Sequence, residues 1–302
     1  MSHSPSLFDM SLMRTRVERA HQIGFEDFLV KRAVEDLDER LQAILRPFPA
    51  ALDWGTPLSG VRAVLSAHNK GALFYQAGLS LAGLNFADAQ LITHLEHVPF
   101  APLSFDLITS LLALQSINDL PGALVQLRRL LKPDGLFIGC LLGGNTLTEL
   151  RQAFLQAESE CDQGVSPHVA PHIDVREMGG LLQRAGFKLP VTDVDTVIAR
   201  YDTPLGLMHD LRRMGLTNAL TARSKRFLRR DLLLRACDIY QSRFADGDGR
   251  IRATFEIVWF SGWAEHESQQ LPLKPGSAKM SLIDALNPRS EDHSVFQPPI
   301  VG

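Results

Sequence analysis

The sequence predicts an open, doubly wound α/β domain with a helical N-terminal cap and a helical insertion. Short apolar runs such as residues 105–110 and 136–142 alternate with amphipathic stretches of helical spacing, as buried parallel strands joined by crossover helices do. Turn residues punctuate them: Gly55 and Gly60 after the first run, Lys132-Pro133-Asp134-Gly135 before the fifth, and Gly143-Gly144 after it. The 302 residues are 45% hydrophobic and 22% charged, enough for a large core.

The elements follow in order. Between Met10 and Leu45, the positions Phe25, Phe28, Leu29, Ala33, Leu37, Leu41 and Leu45 recur every three or four residues until Pro47 and Pro49 stop the pattern. Residues 1–49 are therefore expected to form the helical cap. Ala50–Leu52 lead the first strand into a turn, and Val61–Ala67 resume helical spacing. Ala72–Gln76 and Asn85–Ala87 read as the second and third strands, and Phe105–Ser110 as the fourth. Leu120–Leu131 reads as an amphipathic helix and Leu136–Leu142 as the fifth strand, which completes an α/β core over 50–144. Helices are then expected at Leu147–Glu158, Val175–Ala185, Leu205–Met214 and Phe227–Tyr240, with strands near Val191–Ala199 and Thr254–Trp259. Together these make a helical insertion with closing strands over 145–286. Residues 287–302 have the composition of a disordered tail.

Charge and cysteine usage exclude several classes. A net charge of −3 gives no drive toward nucleic acid, and none is expected as a partner. Cys140, Cys161 and Cys237 are too far apart for a CxxC pair, which argues against a disulfide framework or thiolate zinc and for a reducing compartment. The N-terminal stretch lacks an apolar signal core, and no apolar run approaches a bilayer span, so a cytoplasmic location is expected.

In open α/β sheets a ligand binds beyond the carboxyl ends of the strands. A nucleotide-like cofactor needs a glycine-rich turn after the first strand so that backbone N–H groups approach it closely. Here Asp53, Gly55 and Gly60 stand at three positions of such a turn, with Pro57 and Ser59 in the other glycine places. An acid ending the second strand would hold the ribose hydroxyls; Gln76 offers one weaker bond, and Gly78 stands where a carboxylate would serve. Asp88, after the third strand, would take the adenine amine.

Downstream, Ser104-Phe105-Asp106-Leu107-Ile108, then Asn118 to Leu124, then Leu130 to Gly139 resemble the fourth strand, helix and fifth strand of class I S-adenosylmethionine-dependent methyltransferases, a Rossmann-like fold. The blocks Gly143–Arg151, Ser166-Pro167-His168, Leu181–Phe187 and Gly262–Gln269 resemble one branch of that superfamily. It is the branch of the mitochondrial complex I assembly factor that acts as an arginine hydroxylase on an iron–sulfur subunit, related to the malonyl-carrier-protein methyltransferase of biotin synthesis. The resemblance runs from about Leu7 to Leu286. It implies S-adenosyl-L-methionine as cofactor, bound weakly or lost where Pro57, Ser59 and Gly78 depart from the pattern. It also implies a protein client, such as a complex I iron–sulfur subunit.

Smaller constellations have two readings each. His168 is a candidate for orienting a substrate or moving a proton beside the cofactor cleft, or a structural histidine. His172-Ile173-Asp174 with a second histidine could form a two-histidine, one-carboxylate iron site, or a loop leading to a helix capped by Asp174 with Glu177 three residues on. Arg223, Lys225, Arg226, Arg229, Arg230 and Arg235 form a basic helix over 223–235: a solvated helix face, or a dock for an acidic partner or a membrane surface. His266 and Glu267 either line the substrate side of the cleft, with His266 as a catalytic candidate, or join an edge-strand network. Asp246-Gly247-Asp248-Gly249 reads as a turn. Three functions compete on these residues: an S-adenosylmethionine-dependent enzyme, a methyltransferase or arginine hydroxylase; a non-catalytic client-binding assembly factor; and an adaptor peripheral at the inner membrane.

Overall fold

The computed structural model describes residues 6–58, 60–69, 71–80, 82, 88–161 and 164–269. The chain to His266 forms one compact unit, and Glu267 onward belongs to a second. The expected tail over 287–302 lies outside the described residues.

The elements run α1 (Met10–Gln22), α2 (Phe28–Gln42), β1 (Ala50–Trp54), α3 (Val61–His68), β2 (Leu73–Gly78), β3 (Ala89–Ile92), β4 (Phe105–Leu111), α4 (Leu120–Leu130), β5 (Leu131–Leu142), α5 (Thr148–Glu160), α6 (Val175–Arg184), β6 (Lys188–Tyr201), α7 (Pro204–Arg213), α8 (Arg230–Phe244) and β7 (Ile251–Trp263). They build a seven-stranded sheet of order β3-β2-β1-β4-β5-β7-β6, parallel except for β7, which runs antiparallel to both neighbours. Strand order reverses between β1 and β4, and that point is where a ligand cleft belongs.

Alternation along the strands splits the core. Ala51, Leu107, Ile138 and Cys140 face α2, α3, α5, α7 and α8, while Leu52, Trp54, Ile108, Phe137 and Leu141 face α4 and α6. The N-terminal segment is two helices, because Gly24 turns the chain at φ 91° between them. The second covers a sheet face, with Phe28 edge-on to Phe255 and Arg40 over the Trp259 ring.

Three sequence expectations need correction. The third strand is Ala89–Ile92, later than expected, and 85–87 lie outside the described residues. Lys132-Pro133-Asp134 is already part of β5, and Asp134 rather than Gly135 takes the left-handed conformation, at φ 61°. The basic segment 223–235 is not one helix: α8 begins at Arg230, and 223–229 is a loop. Arginines and Phe227 keep an amphipathic pattern there, but no apolar face packs against the sheet; Phe227 is 100% exposed. Among the described residues, no helix is long and apolar enough to cross a membrane.

Candidate functional site

The carboxyl end of β1 is built around Asp53. Its side chain is buried, and its Oδ1 accepts from the Thr56 hydroxyl at 2.5 Å and the Thr109 hydroxyl at 3.1 Å. Its Oδ2 accepts from the Gln76 amide at 3.3 Å. Burial pushes the Asp53 carboxyl up to about 7, against the pull of the Thr56, Thr109 and Gln76 hydrogen bonds. Thr56 Oγ1 also accepts the Leu111 N–H at 3.1 Å, and Ser110 Oγ donates to the Trp54 carbonyl at 2.7 Å. This polar knot fixes the turn between β1 and β4.

Gly55 follows at φ 85°, its N–H donating to the Ala77 carbonyl at 2.7 Å. A Cβ there would stand 2.8 Å from the Ala113 Cβ and 3.0 Å from a Leu95 methyl, so glycine is required by packing as well as by φ. Beside it lies a cavity of about 60 Å³ lined by Gly55, Thr56, Pro57, Gly78, Ser80 and Leu95 from the sheet side. Met13, Val17 and His21 of α1 and Met214–Leu216 close it from above. The Phe8 N–H, donating to the Asn118 carboxamide oxygen at 2.7 Å, and the Asp9 N–H, donating to Ala219 at 2.9 Å, tie α1 across this edge.

The expected cofactor residues are therefore not gathered in one cleft. Gly55 lines the cavity, whereas Asp53 and Gln76 face each other in the sheet interior, each 1% exposed or less. Asp88 is at the opposite edge. It precedes β3, its carboxylate accepts the Phe74 N–H at 2.8 Å near the start of β2, and Arg62 pairs with it at 3.4 Å. The hydrogen bond from Phe74 holds the Asp88 carboxyl below its ordinary value. The expectation failed because Asn85–Ala87 was read as the strand, which moved its end to the wrong side of Asp88.

Both histidine candidates also lie away from that cavity. His266 is exposed just past the end of β7, and because β7 is antiparallel, that end pairs with Leu136 in the amino-terminal half of β5. It therefore stands at the amino edge of the parallel strands, not on the substrate side. His168 lies against the last turns of α5: its Nε2 is 2.8 Å from Glu158 Oε1 and its ring stacks on Phe154 at 4.1 Å. Glu158 also accepts from the Ser166 N–H at 2.9 Å and the Ser166 hydroxyl at 2.8 Å. Burial of Glu158 would raise its pKa, but the hydrogen bonds from His168 and Ser166 win and hold it below the ordinary value.

Ser166-Pro167-His168 instead opens onto a groove of about 780 Å³, bounded by Arg16, Glu158, Asn218 and the loop 223–229. Among the described residues the two concavities share no lining residue: α1 gives Met13 and Val17 to one and Arg16 to the other. Sequence reading missed Arg16 and the α1 lid, since neither carries a motif. The Gly143–Arg151 block has a structural explanation. Glu256 accepts from the Asn145 amide at 2.5 Å, Thr146 Oγ1 takes the Glu256 N–H at 3.1 Å, and Thr254 Oγ1 donates to Glu149 at 2.5 Å. Asp174 caps α6 by accepting the Glu177 N–H at 2.7 Å. Among the described residues, no group of three or more His, Cys, Asp or Glu is placed to hold a metal ion.

This fold and edge have relatives. A methyltransferase domain model matches residues 21–190. The chain belongs to the methyltransferase domain family. Within it, the chain is 38% identical to the mitochondrial arginine-hydroxylase NDUFAF5 of Danio rerio, over 92% of this chain and 89% of that protein. It is 38% identical to the Homo sapiens protein of the same name, over 92% and 82%. It is 31% identical to the malonyl-[acyl-carrier protein] O-methyltransferase of Methylovorus sp. (strain MP688), over 95% and 96%. Among solved structures, the YcgJ protein from Bacillus subtilis shares the fold with a TM-score of 0.53 at 14% identity, over 78% of this chain and 99% of that one.

At the family level the cofactor is S-adenosylmethionine. In this methyltransferase-fold chain the described residues depart from what that cofactor needs. No carboxylate ends β2, Pro57 has no N–H to give, and Leu95 and Ala113 stand against Gly55. About 60 Å³ is also several-fold short of the roughly 300 Å³ at which small-molecule sites begin.

Proposed function

We propose that this chain is a client-binding assembly factor of the arginine-hydroxylase branch, with cofactor binding weak or lost. Its client would be a protein of the respiratory NADH dehydrogenase, with an iron–sulfur subunit the first candidate by resemblance. The observation that carries this reading is the contrast between the two concavities. The cofactor edge is reduced to about 60 Å³ under α1, while the groove at Ser166–His168 keeps about 780 Å³ open to a macromolecule. A cytoplasmic site of action, peripheral at the inner membrane, suits a client assembled there.

Deleting the gene and measuring assembled NADH dehydrogenase in the host tests the role: the complex falls if the reading holds, and normal levels remove it. A second reading, an S-adenosylmethionine-dependent methyltransferase or arginine hydroxylase, is favoured by the retained left-handed Gly55 turn and by the enzyme names of the relatives. Submicromolar binding of S-adenosylmethionine to the purified chain would make it the leading account.

A further inference from the structure

We propose that the groove between the Ser166–His168 loop and the 223–229 loop binds an acidic peptide segment carrying an apolar side chain. This rests on the client-binding reading and names the surface and chemistry of that contact.

Charge is the first support. Among the described residues, four guanidinium-bearing side chains line the groove, Arg16, Arg223, Arg226 and Arg229, against one carboxylate, Glu158. Glu158 is already committed to His168 and Ser166. Arg229 pairs with Asp231, and Arg223 lies 3.7 Å from Asp9. Among the described residues, Arg16 and Arg226 form no ion pair; Arg16 donates only to the Thr217 carbonyl, at 2.7 Å. Two cations without an ion pair, one from α1 and one from the 223–229 loop, suit carboxylates better than a neutral chain.

The second support is apolar. Phe227 is 100% exposed and Leu228 43% exposed, side by side between Arg226 and Arg229. A lone exposed aromatic means little, but an aromatic flanked by arginines at a groove rim has the composition of an interface anchor. Shape selects the partner. Its lining comes from several elements: Glu158 from α5, the Ser166–His168 segment, Arg16 from α1 and the 223–229 loop. A flat lipid surface meets only the outermost of these, whereas an extended peptide lying in the groove can touch them together.

The experiment uses the full chain and a fluorescein-labelled peptide of Asp and Glu with one central Trp-Leu pair. Fluorescence anisotropy should report binding that weakens with salt, and no binding of the same peptide with its acids replaced by Lys. Arg16→Ala with Arg226→Ala should weaken it at least about tenfold, equivalent to losing one charge-assisted hydrogen bond. Because Arg16 also ties α1, Arg226→Glu and Phe227→Ser serve as second variants at exposed positions; each should weaken binding with the melting temperature unchanged. Equal binding of the acidic and Lys peptides, or undiminished binding by the last two variants, overturns the proposal. So does tight binding to phosphatidylglycerol vesicles, abolished by Arg226→Glu, with no peptide binding. If the peptide fails to bind while the deletion strain still lacks NADH dehydrogenase, the groove assignment falls and the assembly reading stands. Peptide binding as described in a strain with normal complex levels supports the groove and sinks the respiratory client.

Discussion

The Gln76 amide donates to the Asp53 carboxylate across β1 and β2, at 3.3 Å, inside the sheet. The residue best placed by sequence to replace a ribose-binding acid is thus spent holding the turn acid. With both groups turned inward, the cleft edge keeps Gly55, Pro57 and Gly78 and, among the described residues that line it, no Asp, Glu, Lys or Arg.

A titration of S-adenosylmethionine should therefore show weak binding or none. The missing charged acceptor costs roughly 1.5–3 kcal/mol, or about ten- to a hundredfold in affinity. Gly78→Asp should tighten whatever binding exists, read by isothermal calorimetry. Submicromolar affinity in the wild type refutes this account of the edge.

Asp53 predicts a pH dependence. Its folded pKa is raised to about 7 from the ordinary 3.8, so the native state holds a proton that the unfolded state releases between those values. Its contribution is fully present below about pH 4 and is lost as pH rises through about 7. Asp53→Asn, which keeps the shape and can accept from Thr56 and Thr109, should remove that slope. The difference between wild-type and variant chemical denaturation curves across this range, on the order of a few kcal/mol, is the measurement.

Glu158 should behave with the opposite sign. Its folded pKa is depressed by its bonds to His168 and Ser166, so its stabilisation is present above the ordinary carboxylate range and lost as pH falls through the folded value. Glu158→Gln should destabilise at neutral pH by about 1.5–3 kcal/mol, with a shallower loss on acidification. His168→Ala should loosen the 164–168 segment, seen as faster limited proteolysis there. Equal proteolysis rates would show that the stack on Phe154 and the Glu158 bond do not hold it.

Gly55→Ala should destabilise the chain itself, by roughly 2–4 kcal/mol from left-handed strain and overpacking, because its Cβ would meet Ala113 and Leu95. Loss of function in that variant is evidence about cofactor use only if its denaturation midpoint is unchanged.

Much of the fold was legible because local signals and tertiary placement agree. Buried apolar runs and glycine or proline turns marked β1, β2, β4 and β5, and Asp174 marked the start of α6. The matching blocks marked the methyltransferase fold. Asp88 was misplaced because a short edge strand between polar ends has no periodicity to fix its limits. The helix start in 223–235 was misplaced because 223–229 keep the pattern of a helix, while only the part from Arg230 on, through Leu232 and Leu233, packs on the core.

The sequence by itself determined the alternation of strands and helices, the glycine at the β1 turn, the absence of an acid at the end of β2 and the family to which the chain belongs. Only the tertiary structure decided which edge each polar residue serves. Strand direction decides this: β7 runs antiparallel and so carries His266 to the amino edge, while the pairing of β2 with β3 puts Asp88 beside Phe74. Long-range contacts decide the rest. Asn118 and Ala219 fasten α1 over the cofactor edge, and Thr217 holds Arg16 of α1 at the separate groove. Contacts between residues a hundred positions apart leave no local pattern to read.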